Sequence, residues 1–165
     1  MARTLKQGEH KMRKKVLVVC KGNACRSPML KALLHRACQE RNLDVQVESA
    51  GFSEKEATRN EPATDKSVVC MDRVGIDIRN HKRKWSGNLN LDSYDLVVAA
   101  DQKTFCALLE QIVEHSKLVL ANPPVGIPNP WGKPQEAYDE CARIMTEVVI
   151  PQLMMVLDHP RRKRK

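Results

Sequence analysis

Four short apolar runs, KVLVVC (15–20), DVQVES (44–49), YDLVVAA (94–100) and KLVLAN (117–122), are separated by stretches whose apolar residues recur at helical spacing. A continuous valine-rich run suits a strand buried on both faces, and a helix between two strands is the usual connection of parallel neighbours. The alternation predicts one α/β domain: a four-stranded parallel sheet with right-handed crossovers and helices on both faces. Sheets of this kind bind ligands beyond the carboxyl ends of their strands, where the strand order reverses.

The intervening segments carry their own stop and start signals. After KVLVVC, the residues Leu30, Leu33, Leu34, Ala37 and Cys38 keep a helical repeat, with Ser27 as N-cap and Pro28 at the first helical position. Ala50-Gly51 marks a turn, and EPATDKSVVCMDRVG (61–75) reads as a helix ended by Gly75. KTFCALLEQIVEH (103–115) has a further helical repeat. EAYDECARIMTEVVIPQLMMVLD (136–158) reads as a long helix kinked at Pro151. Between them PPVGIPNPWGKP (123–134), with five prolines in twelve residues, is a loop.

A length of 165 residues gives room for one core, and no apolar run approaches the roughly 18 residues needed to span a bilayer. The amino terminus, MARTLKQGEHKMRKK, lacks the apolar stretch of a secretory signal, so a cytoplasmic location is expected. Most of the six cysteines are then expected to be reduced thiols, with Cys38, Cys70, Cys106 and Cys141 as small core residues. No CxxC pair is present, so neither a metal nor another cofactor is expected. The formal charge of +8 sits at the ends: residues 1–15 and 159–165 are each net +5, leaving residues 16–158 at −2. The expected organisation is a flexible basic extension over 1–14, a domain over 15–158 and a basic tail over 159–165. The tails suit contact with nucleic acid, an acidic surface or import machinery, with a nuclear location in a eukaryote, and equally a solvated tail without a partner.

VVCKGNACRSPML (18–30) places chemistry at the first strand-to-helix junction. A loop of this length closing onto a helix can aim its N–H groups inward as a cradle for a dianionic oxyanion. The helix dipole and Arg26 favour negative charge there, on a bound phosphate and on a thiolate at Cys20 alike. Arg26 can hold two phosphate oxygens in a bidentate fork, Ser27 can donate to the sulfur as it departs, and Gly22 and Asn23 can adopt positive φ. Lys21, Gly22, Asn23, Ala24, Cys25 and Arg26 are the candidate phosphate-binding residues.

VCKGNACRSP closely resembles the signature VCxGNxCRSP of the low-molecular-weight protein tyrosine phosphatases. ESAG (48–51), GIDIRNHKRK (75–84), YDLVVAAD (94–101) and IPNPWG (127–132) resemble further segments of that family, from Lys15 to near Asp158. The resemblance implies a phosphorylated protein substrate, Cys20 as nucleophile, Arg26 as phosphate clamp and Ser27 as support for the leaving thiolate. Asn23 would brace the loop, and Cys25 would be either a redox guard of Cys20 or merely a small loop residue. Phe52 and Trp131 would wall the pocket of an aromatic substrate.

Three residues depart from that pattern. Asn129 stands where the family carries the aspartate that protonates the leaving group and then activates water, and an amide has no titratable proton to give. The chain is then a weak or inactive relative, or a substrate-trapping form, or it uses another acid, with Asp101 and Asp139 as the nameable candidates. Ala24 replaces the bulkier isoleucine or threonine of tyrosine- and arginine-directed members. Lys21 adds a charge beside Cys20. The expected function is dephosphorylation of protein side chains, phosphotyrosine foremost, slowed by Asn129. The alternatives are an impaired phosphate-binding module, an arginine phosphatase, to which NPWGKPQEAYDEC (129–141) bears a resemblance, and, ranked last, an arsenate reductase. The last would need two further redox cysteines after the third strand, where AADQKTFC offers Cys106 alone.

Overall fold

The computed structural model describes residues 13–159. Four parallel strands, β1 (Lys14–Cys20), β2 (Val45–Gly51), β3 (Leu96–Ala99) and β4 (Leu118–Leu120), form a sheet in the order β2-β1-β3-β4. Most of the expected basic extension and tail lie outside the described residues. Lys14, assigned above to the extension, instead opens β1 and donates from Nζ to the Leu157 carbonyl at 2.7 Å.

The valine-rich runs are central for the reason their composition suggested: Val16 to Cys20 and Leu96 to Ala99 are all buried. Alternate residues of β1 serve different cores. Val16 and Val18 pack with Met29, Leu30, Leu34, Met71, Met145 and Leu153 on one face. Leu17 and Val19 pack with Tyr94, Leu108 and Ile112 on the other. The first face is covered by α1 (Arg26–Glu40), α3 (Asp65–Asp72), α5 (Gln135–Ile144) and α6 (Ile150–Leu157), and the second by α4 (Gln102–Leu109). The chain leaves β1 towards β2 on one side and β3 towards β4 on the other, so the strand order reverses at the carboxyl ends of β1 and β3. That crevice is where the loop after Cys20 lies.

Several element ends differ from the sequence reading. Helix α1 starts at Arg26, with Ser27 inside its first turn rather than capping it, because the Ser27 hydroxyl is engaged by the loop. Helix α3 starts at Asp65 rather than Glu61. It ends as expected near Gly75, whose φ of +77° lets its N–H reach the Asp72 carbonyl and that of Ile76 reach Met71. Helix α4 stops at Leu109, and Asp92 accepts the N–H groups of Val113 and Glu114 beyond it. Cys106 is exposed, correcting its assignment to the core: Thr104 and Leu108 take the buried face and Cys106 lies between them on the other. The last helix is not one kinked α-helix. A π-helical turn (Met145–Val149) separates α5 from α6, and its wider hydrogen-bonding spacing accommodates Pro151, which has no N–H to give. A four-residue helix unforeseen in the sequence, α2 (Glu54–Ala57), follows β2.

Candidate active site

The loop from Cys20 to Arg26 is shaped by its neighbours as much as by its own residues. The carbonyls of Cys20, Lys21 and Ala24 accept from the N–H groups of Phe52, Ser53 and Thr64 at 2.9–3.0 Å. His81 Nε2 donates to the Asn23 carbonyl at 2.8 Å. Tying carbonyls outward is how a loop of this length aims its N–H groups inward. Asn23 adopts a φ of +54°, as its residue type allows, and its buried amide is fully used. Its Oδ1 accepts from the Lys84 N–H at 2.9 Å, while Nδ2 donates to Ser27 at 2.8 Å and Ser49 at 3.0 Å. Gly51 has a steric reason: a Cβ there would come within 2.7–2.8 Å of the backbone of Lys21, Gly22 and Asn23.

Cys20 Sγ lies 3.0 Å from Ser27 Oγ. Because Asn23 already donates to that oxygen, the single Ser27 hydroxyl hydrogen goes to one of two acceptors, the Cys20 sulfur at 3.0 Å or the Ala50 carbonyl at 3.4 Å. Arg26 is 2% exposed, and its Nη1 donates to Asp101 Oδ2 at 2.5 Å and to the Ile127 carbonyl at 3.0 Å. The other Asp101 oxygen accepts from the N–H and hydroxyl of Thr104, both at 2.8 Å, so one carboxylate caps α4 and fixes the guanidinium. Burial would raise the Asp101 carboxyl, but the bonds from Arg26 and Thr104 outweigh it and hold it below the usual range. Both Asp101 oxygens are thus committed to Arg26 and Thr104. Asp139, the other substitute considered above, bonds to Cys70, Arg73 and Gln135 between α5 and α3, and those contacts hold it low as well. Cys25 is buried and accepts from Thr64, with Tyr138 Oη 3.6 Å from its sulfur. Burial, and the charge of Cys20 after it, pushes the Cys25 thiol up.

These groups floor a cavity of about 200 Å³. Cys20, Lys21, Gly22, Ala24, Cys25 and Arg26 line it, and Asn129 and Trp131 reach it from the proline-rich loop. Asn129 Oδ1 accepts from the Trp131 N–H at 3.2 Å, and Trp131 is 55% exposed. Phe52 is not among the lining residues; it packs against the core around Leu17 and Val19. Glu56, Arg59 and Arg83, which the sequence reading missed, line the cavity instead. Arg83 bonds to the carbonyls of Glu56 and Pro62 and pairs with Glu61 at 3.1 Å, with its buried Nε unpartnered. A signal for Glu56 existed: Ser53 and Glu56 form an S-x-x-E pattern at the start of α2.

Fold and site together define an α/β protein with a cysteine-and-arginine phosphate loop at its switch point. The family model described as low molecular weight phosphotyrosine protein phosphatase matches residues 15–163, and the chain belongs to that family. It is 36% identical over 89 residues to the low molecular weight protein-tyrosine-phosphatase Ptp of Acinetobacter johnsonii, covering 54% of this chain and 58% of that protein. It is 34% identical over 84 residues to the protein-arginine-phosphatase of Bacillus subtilis, covering 51% and 53%. An arsenate reductase of Staphylococcus aureus is 29% identical over 84% of this chain and 92% of its own. The chain thus spans little more than half the length of the first two relatives. Among solved structures, Wzb of Vibrio vulnificus in complex with benzylphosphonate superposes with a TM-score of 0.74 at 27% identity, covering 88% of this chain and all of that one. The low molecular weight protein tyrosine phosphatase of T. tengcongensis gives 0.76 at 28% identity, covering 87% and 99%.

Proposed function

We propose that the protein hydrolyses phosphorylated protein side chains, phosphotyrosine foremost, through a phosphocysteine at Cys20, and that Asn129 slows its turnover. The observation that carries this is the pairing of the Cys20 sulfur with Ser27 at 3.0 Å above a helix whose first residue is the clamped Arg26. Both Arg26 bonds use Nη1, so the Nε and Nη2 edge is the one two phosphate oxygens would take. The phosphorus is attacked by the thiolate and the phenolate leaves. The Asn23–Ser27 chain then supports the sulfur when water displaces it. Trp131 offers an aromatic face at the mouth, in keeping with the benzylphosphonate in complex with the Vibrio relative.

An aryl phosphate with a good leaving group needs no acid, so phosphocysteine formation on such a substrate is expected and should vanish in Cys20→Ser. Retention of that activity in Cys20→Ser would refute the assignment. Asn129→Asp should raise turnover at least about tenfold, because general acid–base catalysis typically contributes about 10²–10⁴-fold. Cys25 is proposed as the redox guard: peroxide oxidises Cys20 to a sulfenic acid, which condenses with the Cys25 thiol and releases water. Thiol treatment should then rescue peroxide-treated wild type but not Cys25→Ser.

The arginine-phosphatase reading is favoured by the relationship to the Bacillus protein; Ala24, which leaves the cavity floor without a bulky side chain, matches neither branch. Parallel assays on phosphotyrosine and phosphoarginine peptides separate the two.

A further inference from the structure

Among the described residues, Glu56 is the one carboxylate lining the cavity. Asn129 reaches the same space without an ionisable group, and Asp101 and Asp139 are committed elsewhere. Glu56 is also held there. Its Oε1 lies 3.1 Å from Lys21 Nζ, and its Oε2 stands so close above the loop that a Cβ on Gly22 would approach it to 2.7 Å. The S-x-x-E pattern would normally send this side chain back to the helix cap, yet Ser53 makes no side-chain cap bond and Glu56 turns to the loop instead. Its side chain is 36% exposed, so water reaches it.

We propose that Glu56 is the general base of the second half-reaction, a task that Asn129 cannot perform; the assignment rests on the phosphocysteine reading above. A carboxylate within reach of the attacking water is a suitable acceptor for its proton. A water attacks the phosphorus of phosphocysteine, its proton passes to Glu56, and the P–S bond breaks. The electron pair returns to Cys20, whose thiolate accepts the Ser27 hydrogen bond, and inorganic phosphate leaves. Lys21 positions the carboxylate, which accounts for a lysine next to the nucleophile.

The test is rapid-mixing kinetics on p-nitrophenyl phosphate, with acid-quenched intact mass to count phosphorylated enzyme. Wild type, Glu56→Gln and Glu56→Asp are compared, each with Asn129 and with Asn129→Asp. In Glu56→Gln the steady-state rate should fall at least about tenfold, the initial burst should fall much less, and phosphorylated enzyme should accumulate. Added formate should restore part of the loss in Glu56→Gln, and Glu56→Asp should be intermediate. The loss should shrink when Asn129→Asp supplies a second carboxylate. Equal falls in burst and steady-state rates without formate rescue would show Glu56 to be structural and overturn the assignment, as would an unchanged steady-state rate. Those results leave the phosphocysteine reading standing; nitrophenol release that survives Cys20→Ser, with no phosphorylated enzyme, would instead overturn that reading and this assignment with it.

Discussion

The loop after β1 is held by residues distant in sequence. Arg26 is buried, and a buried guanidinium needs a counter-charge; Asp101 supplies it from the amino terminus of α4. Asp101→Asn should weaken inhibition by inorganic phosphate, because the clamp loses its orientation, and should cost about 1–3 kcal/mol in urea unfolding. The sign of its pH dependence follows from the depressed carboxyl. Its stabilising contribution is present above the ordinary aspartate value of about 3.9 and is lost as pH falls through the lower folded-state value. The difference between wild type and Asp101→Asn should therefore be constant from pH 7 to about 5 and shrink below pH 4. Cys20, Arg26 and Ser27 were readable because eight consecutive positions hold them. Asp101, Ser49, His81 and Glu56 were not, because no local pattern says which distant side chain a loop will meet.

At the scale of elements, the loop is a joint product of β1, α1 and the strand beside them. Gly51 closes β2 opposite Cys20 in the register, and the loop backbone passes directly over it. Gly51→Ala should shift that backbone, raising the inhibition constant for inorganic phosphate more than it lowers the melting temperature. A shift in melting temperature alone would show that the loop tolerates the methyl group. His81 braces the same loop, and burial lowers its imidazole, with Lys31, Arg83 and Lys84 adding to the effect against the Asn23 bond. The folded state thus favours neutral His81: the stability it gives is present above the ordinary histidine value of about 6.5 and is lost as pH falls below it. The periodicity of α1 and the valine runs was legible because burial on one or two faces imposes it. The early end of α4 was not, because Ile112 keeps the helical repeat while sitting in a turn held by Asp92.

In the whole molecule, one sheet separates two apolar cores that share β1 and β3. Leu34 and Leu108, each fully buried on opposite faces, should each cost about 2–5 kcal/mol when changed to alanine. Both variants should still unfold in a single transition by circular dichroism and tryptophan fluorescence, since the shared strands couple the faces. Separate transitions would mean that the faces unfold independently. By itself the sequence determined the parallel α/β sheet, the position of the loop after β1 and the proposed nucleophile and clamp within it, because hydrophobic period and a contiguous loop are local properties of the chain. Only the tertiary structure decided that Asp101 bonds to Arg26 and Thr104, that Phe52 belongs to the core, and that Glu56 faces the cavity where Asn129 cannot ionise. Those assignments depend on which side chains meet across strands and helices 30 to 100 residues apart, and burial and charge pairing settle that only once the chain is folded.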